Sequence, residues 1–405
     1  MNKLSKIGMI CVLAAMAAAC TPGDKFNPDR EIVLFTGTDS SPLIKVNSDS
    51  YMLTVSATGI ATEDVTVYLE YDASIVDTYN AVNKTAYQAV PKASVSMASD
   101  RMLIKKGQAS SEVNQVKLVN QDFAEDGVIY LIPLVITKVE GGGFDLVESG
   151  RSILIRPTKE YRYAALDVAD ANLSSNYIFP DDKAMELSVY TYEIKIYSYS
   201  FSPAPDQPIR LCAWDNKDES LSTLLRFGED RTRPSSLQVK TPGGNTIYSD
   251  TDFDVDRWYM LSFVYDGSAT TMYVDGVAEP QKASSTTEAT VFQRFEIGMS
   301  WGGYTSRQLF KGRISEVRIW DRALSVNEMK EGICGVAKDA EGLRAYWKFN
   351  EGSGHIFHDA TGNGYDLDWS KTVRDPNENG TLVEFDKSAI ASQRWVNDDI
   401  NVCHN

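Results

Sequence analysis

The strongest constraint in this chain is a period of two. From Glu31 onward, apolar and polar residues alternate in short runs closed by Gly, Asp, Asn or Pro, the pattern of half-buried strands joined by tight turns. Val65, Val67, Leu69 and Tyr71 alternate with Thr66, Tyr68 and Glu70; Tyr192, Ile194 and Ile196 face one way while Glu193 and Lys195 face the other. Successive side chains of a strand point to opposite faces, so each run needs a second layer over its apolar side. The expectation is an all-β chain of stacked sheets.

Helical signals are few. Ser74 with Asp77 predicts a capped helix over Ile75–Asn83, and Ser325 with Glu328 caps a short helix that Gly332 ends. Val128–Val139 is apolar almost throughout, like a strand covered on both faces, and Pro133 within it suggests an edge position or a bulge. Trp258–Tyr265, Thr271–Val274 and Ile314–Trp320 read as strands, with turns at Asp266-Gly267 and Asp275-Gly276. The 405 residues suffice for two or three cores at roughly 100–200 residues each. Arg156-Pro157-Thr158-Lys159-Glu160 is polar and proline-bearing, which places the boundary between domains 31–156 and 157–405.

The first residues read as an export signal. Lys3 and Lys6 precede an apolar run from Ile7 to Ala19, too short for the ~20 residues that span a bilayer. Ala17-Ala18-Ala19-Cys20 resembles a bacterial lipobox, which implies a signal peptide over 1–19, acylation of Cys20 and a polar tether over 20–30. The alternative is ordinary signal cleavage beside an incidental cysteine. Acyl chains hold a protein at a membrane without a spanning helix, so the expected location is the cell envelope, at the outer membrane, with the periplasmic or surface face left open. The formal charge is −16, and loss of Lys3 and Lys6 with the signal takes it to −18. Such a chain repels phosphate backbones, and nucleic acid is excluded as a partner. Past Cys11 and Cys20 remain Cys212, Cys334 and Cys403. An oxidising envelope permits one disulfide and leaves one thiol over; the pairing is open, with Cys334–Cys403 placed first.

Two segments resemble known families. Tyr71-Asp72-Ala73-Ser74-Ile75-Val76-Asp77-Thr78-Tyr79-Asn80, then Tyr87, Pro91 and Ile104-Lys105-Lys106-Gly107, resemble the Bacteroidetes domain DUF1735. That likeness implies an immunoglobulin-like sandwich serving as spacer or binding module in surface lipoproteins of glycan-utilisation systems. Trp258–Gly267, Tyr273-Val274-Asp275-Gly276, Gly312–Trp320, Gly342–Gly354 and Asp359–Gly364 resemble the laminin-G/concanavalin A-like lectin–glucanase family, a jelly roll of two antiparallel sheets. In many relatives the 342–364 motif opens the domain; here it lies near the end, and either it completes the same sandwich, which is the expectation, or it is remnant repeat material.

Catalytic members of that superfamily carry carboxylates at alternate or near-alternate positions of one strand, which sets acid and nucleophile on one face. No such pattern occurs. Asp250, Asp252, Asp254 and Asp256 are spaced by two but precede the strand and have no glutamate beside them; Asp250, Asp252 and Asp254 are candidate calcium ligands, with a solvated loop the alternative. His355 and His358 lack a third zinc partner, and neither a nucleophile elbow nor a phosphate loop is present. No cofactor other than calcium is expected, and the chain reads as a non-enzyme.

Sugars offer apolar ring faces fringed by hydroxyls, so their sites pair an exposed aromatic with hydrogen-bonding side chains. The glycine-bearing loop around Trp301, Tyr304 and Arg307 fits, as does the turn-like Trp214-Asp215-Asn216; in both, packing of the tryptophan into the core is the competing reading. Trp258, Trp320 and Trp347 sit inside strand motifs and are expected in the core, and so is the stripe Tyr197, Tyr199, Phe201. The expected function is non-catalytic glycan capture by an envelope lipoprotein. The DUF1735 likeness implies an N-glycan-type ligand and an uptake system as partner. A protein-binding adhesin and a cryptic glycoside hydrolase are the alternatives.

Overall fold

The structure is a computed structural model, and it describes residues 32–36, 41–125, 127–146, 150–157, 160–169, 175–201, 208–218, 220–230, 233–242, 245–284, 289–299, 308–374, 383–386, 388 and 394–404. The chain divides into two compact units at Pro157, with Ala124–Ile129 grouped with the second. Both are all-β sandwiches.

In the first unit, one sheet runs Leu43–Val46, Ser152–Pro157, Tyr130–Glu140, Val65–Tyr71, Arg101–Ile104. Two three-stranded sheets, one around Val55–Ala57 and one around Asn114–Leu118, complete the immunoglobulin-like sandwich. Its core is the inward half of each alternating run: Val65, Val67, Leu69, Leu134, Ile136, Ile153 and Ile155 are buried together. Leu43–Val46 pairs with Ser152–Pro157 in parallel, which periodicity cannot announce. Pro133 is a correction. Its strand lies inside the sheet, between Val65–Tyr71 and Ser152–Pro157, and the bulge falls later, between Ile136 and Lys138. The Pro133 carbonyl accepts from Asp72 N at 3.3 Å, just past the end of the neighbouring strand at Tyr71. The missing N–H faces the same neighbour, where the paired strand has already ended, so proline forgoes only a bond at the end of the ladder. The first helix, Ser74–Asn83, also differs from expectation: Ser74 makes no capping box, and Asp72 Oδ1 instead accepts from Ser74 N and Ser74 Oγ at 3.0 and 2.7 Å.

In the second unit an eight-stranded antiparallel sheet carries Val277–Ser284, Ala269–Val274, Trp258–Tyr265, Tyr190–Ser198, Gly312–Trp320, Glu160–Asp167 and Trp395–His404 in that order, with Leu343–Trp347 also on Gly312–Trp320. A six-stranded sheet carries Ser175–Ile178, Arg294–Ile297, Ile209–Asp215, Thr223–Phe227, Leu237–Lys240 and Thr246–Tyr248. They share one core. Tyr192, Ile194, Ile196, Leu261 and Phe263 from the larger sheet meet Leu211, Trp214, Leu225, Phe227 and Phe295 from the smaller. Trp347, Phe349, Phe357, Tyr365 and Trp369 are buried in the same core, so the 342–364 motif completes this sandwich. Trp320 is buried and Trp258 half-buried. The aromatic stripe splits: Phe201 enters the core, whereas Arg313 lies over Tyr197 and Tyr199 on the other side. The strand ends at Ser198, and with it the alternation.

Helix Val326–Glu331 has the expected capping box from Ser325 and Glu328 and ends at Gly332. Cys334 is disulfide-bonded and Cys212 is free and buried. The turn Gly332–Cys334 packs on the strand Trp395–His404 that carries Cys403; the side chain of Cys403 lies outside the described residues.

Candidate functional site

Cys20, Trp301, Tyr304 and Arg307 lie outside the described residues. Of the described residues flanking the Trp301 segment, Gly298 N donates to Leu211 O at 2.8 Å, Phe310 N to Gly298 O at 2.9 Å, and Arg210 N to Gln308 O at 2.7 Å.

The second sugar candidate is corrected. Trp214 is fully buried, stacked on Phe292 at 5.5 Å and lying 4.4 Å from the Tyr192 ring. The strand Ile209–Asp215 runs one residue beyond Trp214, so alternation turns the indole inward. Asp215 and Asn216 serve the turn after it. Asp215 Oδ1 accepts from Asn216 N and Leu221 N at 2.7 and 2.9 Å, and Oδ2 accepts from Ser222 Oγ. Burial pushes the Asp215 carboxyl up, against the pull of those bonds and of Arg294. Asn216 Nδ2 donates to Ser220 Oγ at 2.8 Å. These bonds close the turn, and the buried indole offers no exposed ring face.

The aspartate ladder does not converge either. Asp252 takes Arg233 Nε at 3.1 Å, Asp250 N donates to Glu279 Oε2 at 2.6 Å, and Asp254 N to Tyr259 Oη at 3.0 Å. Among the described residues no group of three or more His, Cys, Asp or Glu side chains could hold a metal ion, and the side chains of Asp250, Asp252 and Asp254 form no such group. His355 and His358 face separate aspartates, Asp368 at 3.7 Å and Asp366 at 3.2 Å.

Two acids do come together in a place the sequence analysis did not single out. On the outer side of the eight-stranded sheet, Arg318 reaches Glu193 at 3.2 Å and also pairs with Glu316 at 2.5 Å. Trp320 Nε1 and Ser262 Oγ donate to Glu193 at 3.0 and 2.9 Å, and the Tyr346 hydroxyl donates to Glu316. A bulge produces this arrangement. Ile194 stands opposite Val317 and Lys195 opposite Ser315, leaving Glu316 as the extra residue at φ 46°. Both acids are at most 3% exposed and Arg318 is fully buried. Bound to one guanidinium and sealed from solvent, the pair cannot reach a glycosidic bond. The signal for it was E-x-K on one strand beside E-x-R-x-W on the next, legible only once the two strands are paired.

The side of the six-stranded sheet turned away from the core is different. Arg210, Arg226, Gln238 and Tyr248 stand opposite one another on four neighbouring strands. With strands ~4.8 Å apart the row extends about 14 Å. Its members are linked: Arg226 Nη2 donates to Gln238 Oε1 at 2.9 Å and Gln238 Nε2 to Tyr248 Oη at 2.9 Å, while Arg210 Nε donates to Gln308 Oε1 at 3.0 Å. Arg210, Arg226 and Tyr248 are half-buried, held in place yet reachable. The carboxylates near this row are engaged: Glu229 pairs with Arg226 at 2.9 Å and Glu296 with Arg294 at 3.4 Å. Such a row can hydrogen-bond hydroxyls along an extended ligand.

Comparison with known proteins agrees with this architecture. A family model described as the concanavalin A-like lectin/glucanases superfamily matches residues 172–330, and a model for an N-terminal domain of DUF1735 type matches residues 30–143. A Bacteroides ovatus protein proposed to bind carbohydrate is 21% identical, with a TM-score of 0.55 over 88% of this chain and 99% of its own. A heptameric pentraxin of Limulus polyphemus is 16% identical, with a TM-score of 0.28 over 41% of this chain and 82% of its own. Domain 4 of the arabinanase AbnA of Geobacillus stearothermophilus, in complex with arabinotriose, is 15% identical, with a TM-score of 0.30 over 44% of this chain and 87% of its own. No curated protein matches. The class is that of two-domain β-sandwich proteins. Within it, this chain carries a DUF1735-type N-terminal domain followed by a concanavalin A-like lectin/glucanase domain.

Proposed function

We propose that this chain is a non-catalytic carbohydrate-binding protein of the cell envelope, anchored through an acylated Cys20 and gripping glycan on the outer face of its six-stranded sheet. The observation that carries the reading is the row Arg210–Arg226–Gln238–Tyr248, presented on a lectin/glucanase-type sandwich whose described acid pair is buried against Arg318. The Bacteroides ovatus protein of the same two-domain extent, itself proposed to bind carbohydrate, supports the same class of ligand. An N-glycan-type oligosaccharide and delivery to an outer-membrane uptake system are the finer proposals, resting on the DUF1735 likeness. Single-site affinity can be modest, since millimolar binding is only about −4 kcal/mol and repeated contacts along a polymer add avidity.

A glycan array followed by affinity electrophoresis tests it. The protein from residue 31 onward is expected to be retained by at least one glycan class, with N-glycans first. Arg226→Ala and Trp301→Ala are each expected to weaken retention at least tenfold. Retention by no glycan sinks the proposal; unchanged retention in Arg226→Ala moves the site off this face. Steady release of cleaved product would replace binding with hydrolysis.

A further inference from the structure

The face that bears the proposed glycan row is also where the charge of the chain changes sign. On its strands Ile209–Asp215, Thr223–Phe227, Leu237–Lys240 and Thr246–Tyr248, the positions turned away from the core carry three cations, Arg210, Arg226 and Lys240, and one carboxylate, Asp215. That carboxylate is 4% exposed and holds its own turn. Lys240 is exposed, and Arg210 and Arg226 are half-buried. The chain as a whole is the reverse, with 40 Lys and Arg against 56 Asp and Glu. Charges farther off than about 8 Å are largely screened at physiological ionic strength. A ligand on this face therefore meets the local excess of cations and not the total charge.

Arg210 and Arg226 stand directly opposite each other on neighbouring strands, which sets their Cβ atoms about 5 Å apart, and like charges so placed repel. Partners within the protein orient both side chains. Glu229 pairs with Arg226 at 2.9 Å, Gln238 accepts from Arg226 at 2.9 Å, and Gln308 accepts from Arg210 at 3.0 Å. Two planar guanidinium groups held side by side match a carboxylate, whose two oxygens accept from arginine forks in charge-assisted bonds. A neutral hydroxyl gains one hydrogen bond from such a pair and leaves the repulsion in place; an anion between them removes it. We infer that the glycan taken by this face is an acidic one, a chain bearing uronic or sialic acid, with a sugar carboxylate seated between Arg210 and Arg226. Lys240, two positions along the strand from Gln238, attracts the continuing chain. The inference rests on the glycan-binding reading of this face and adds to it the charge of the ligand.

Matched pairs of glycans test it on the protein from residue 31 onward. Affinity electrophoresis compares polygalacturonate with its carboxyl-reduced form, and a glycan array compares sialylated with desialylated N-glycans. Retention by the acidic member of at least one pair is expected to exceed that by the neutral member at least tenfold. Arg210→Gln and Arg226→Gln should each cut that ratio at least fivefold. Should Arg226→Gln, whose native side chain is only 13% exposed, fail to fold, Arg210→Gln and the wild-type comparison decide. Dextran sulfate, an anion without carboxylates, is expected to be held more weakly than the acidic glycan. Equal or weaker retention of the acidic member of both pairs, an undiminished preference in either arginine variant that folds, or dextran sulfate held as strongly overturns the inference and leaves glycan binding standing. Retention by no glycan at all removes both.

Discussion

Truncating Trp214 removes the aromatic that touches Tyr190, Tyr192, Phe263 and Phe292 at once. Trp214→Ala is therefore expected to cost about 3–5 kcal/mol in chemical denaturation; a loss below about 1 kcal/mol would place the ring outside the core. Cys212, two residues earlier, is wholly buried, and its thiol is pushed well above the usual range by burial, with Glu296 adding to the effect and the Tyr192 hydroxyl opposing it. Because the thiolate is the reactive form, an alkylating reagent should leave Cys212 unmodified in the native protein and label it only in denaturant. Native labelling at the rate of an exposed thiol contradicts the burial. At this scale the sequence misled where it was locally polar. Asp215–Asp218 resembles a turn, and only pairing with Thr223–Phe227 and Arg294–Ile297 carries the strand through Asp215 and fixes the side on which Trp214 lies.

Among the elements, helix Val326–Glu331 was legible because its capping box is local. Burial works against ionisation of Glu328, but bonds from Ser325 and the Arg322 guanidinium outweigh it and hold the carboxyl below the usual range. A folded value below the unfolded one means a contribution that is present above the ordinary glutamate value of ~4.3 and lost as pH falls through the folded value. Glu328→Gln should lower stability by about 1 kcal/mol at neutral pH, and the gap to wild type should close in acid; a gap independent of pH refutes the charge argument. The pairing of the Tyr190–Ser198 and Gly312–Trp320 strands is the opposite case, since its key feature is a bulge. Glu193→Ala leaves Arg318 buried with only part of its counter-charge and is expected to cost about 3–5 kcal/mol. A near-neutral effect in denaturant titration would mean the cluster is not closed to water.

For the whole molecule, the second domain alone bears the proposed glycan row. A fragment from residue 157 that folds should keep the retention of the longer protein in affinity electrophoresis, and a fragment of residues 31–156 should show none. Retention by the N-terminal fragment would transfer the site to the first sandwich. Peptide mapping without reductant is expected to join Cys334 to Cys403, consistent with the packing of their two elements; any other partner for Cys334 removes that pairing.

Strand content, the two-sandwich order and the identity of most core positions were determined by the sequence itself, because alternation and turn residues act over a few neighbours and burial follows from them. Register, bulges and the meeting of the two sheets belong to the tertiary structure, since each depends on which distant strand lies alongside. That is why Ile194 could be assigned inward from its own neighbours, whereas the sealing of Glu193 against Arg318, the alignment of Arg210 with Arg226, and the inward turn of Trp214 were settled only by strands far apart in the chain.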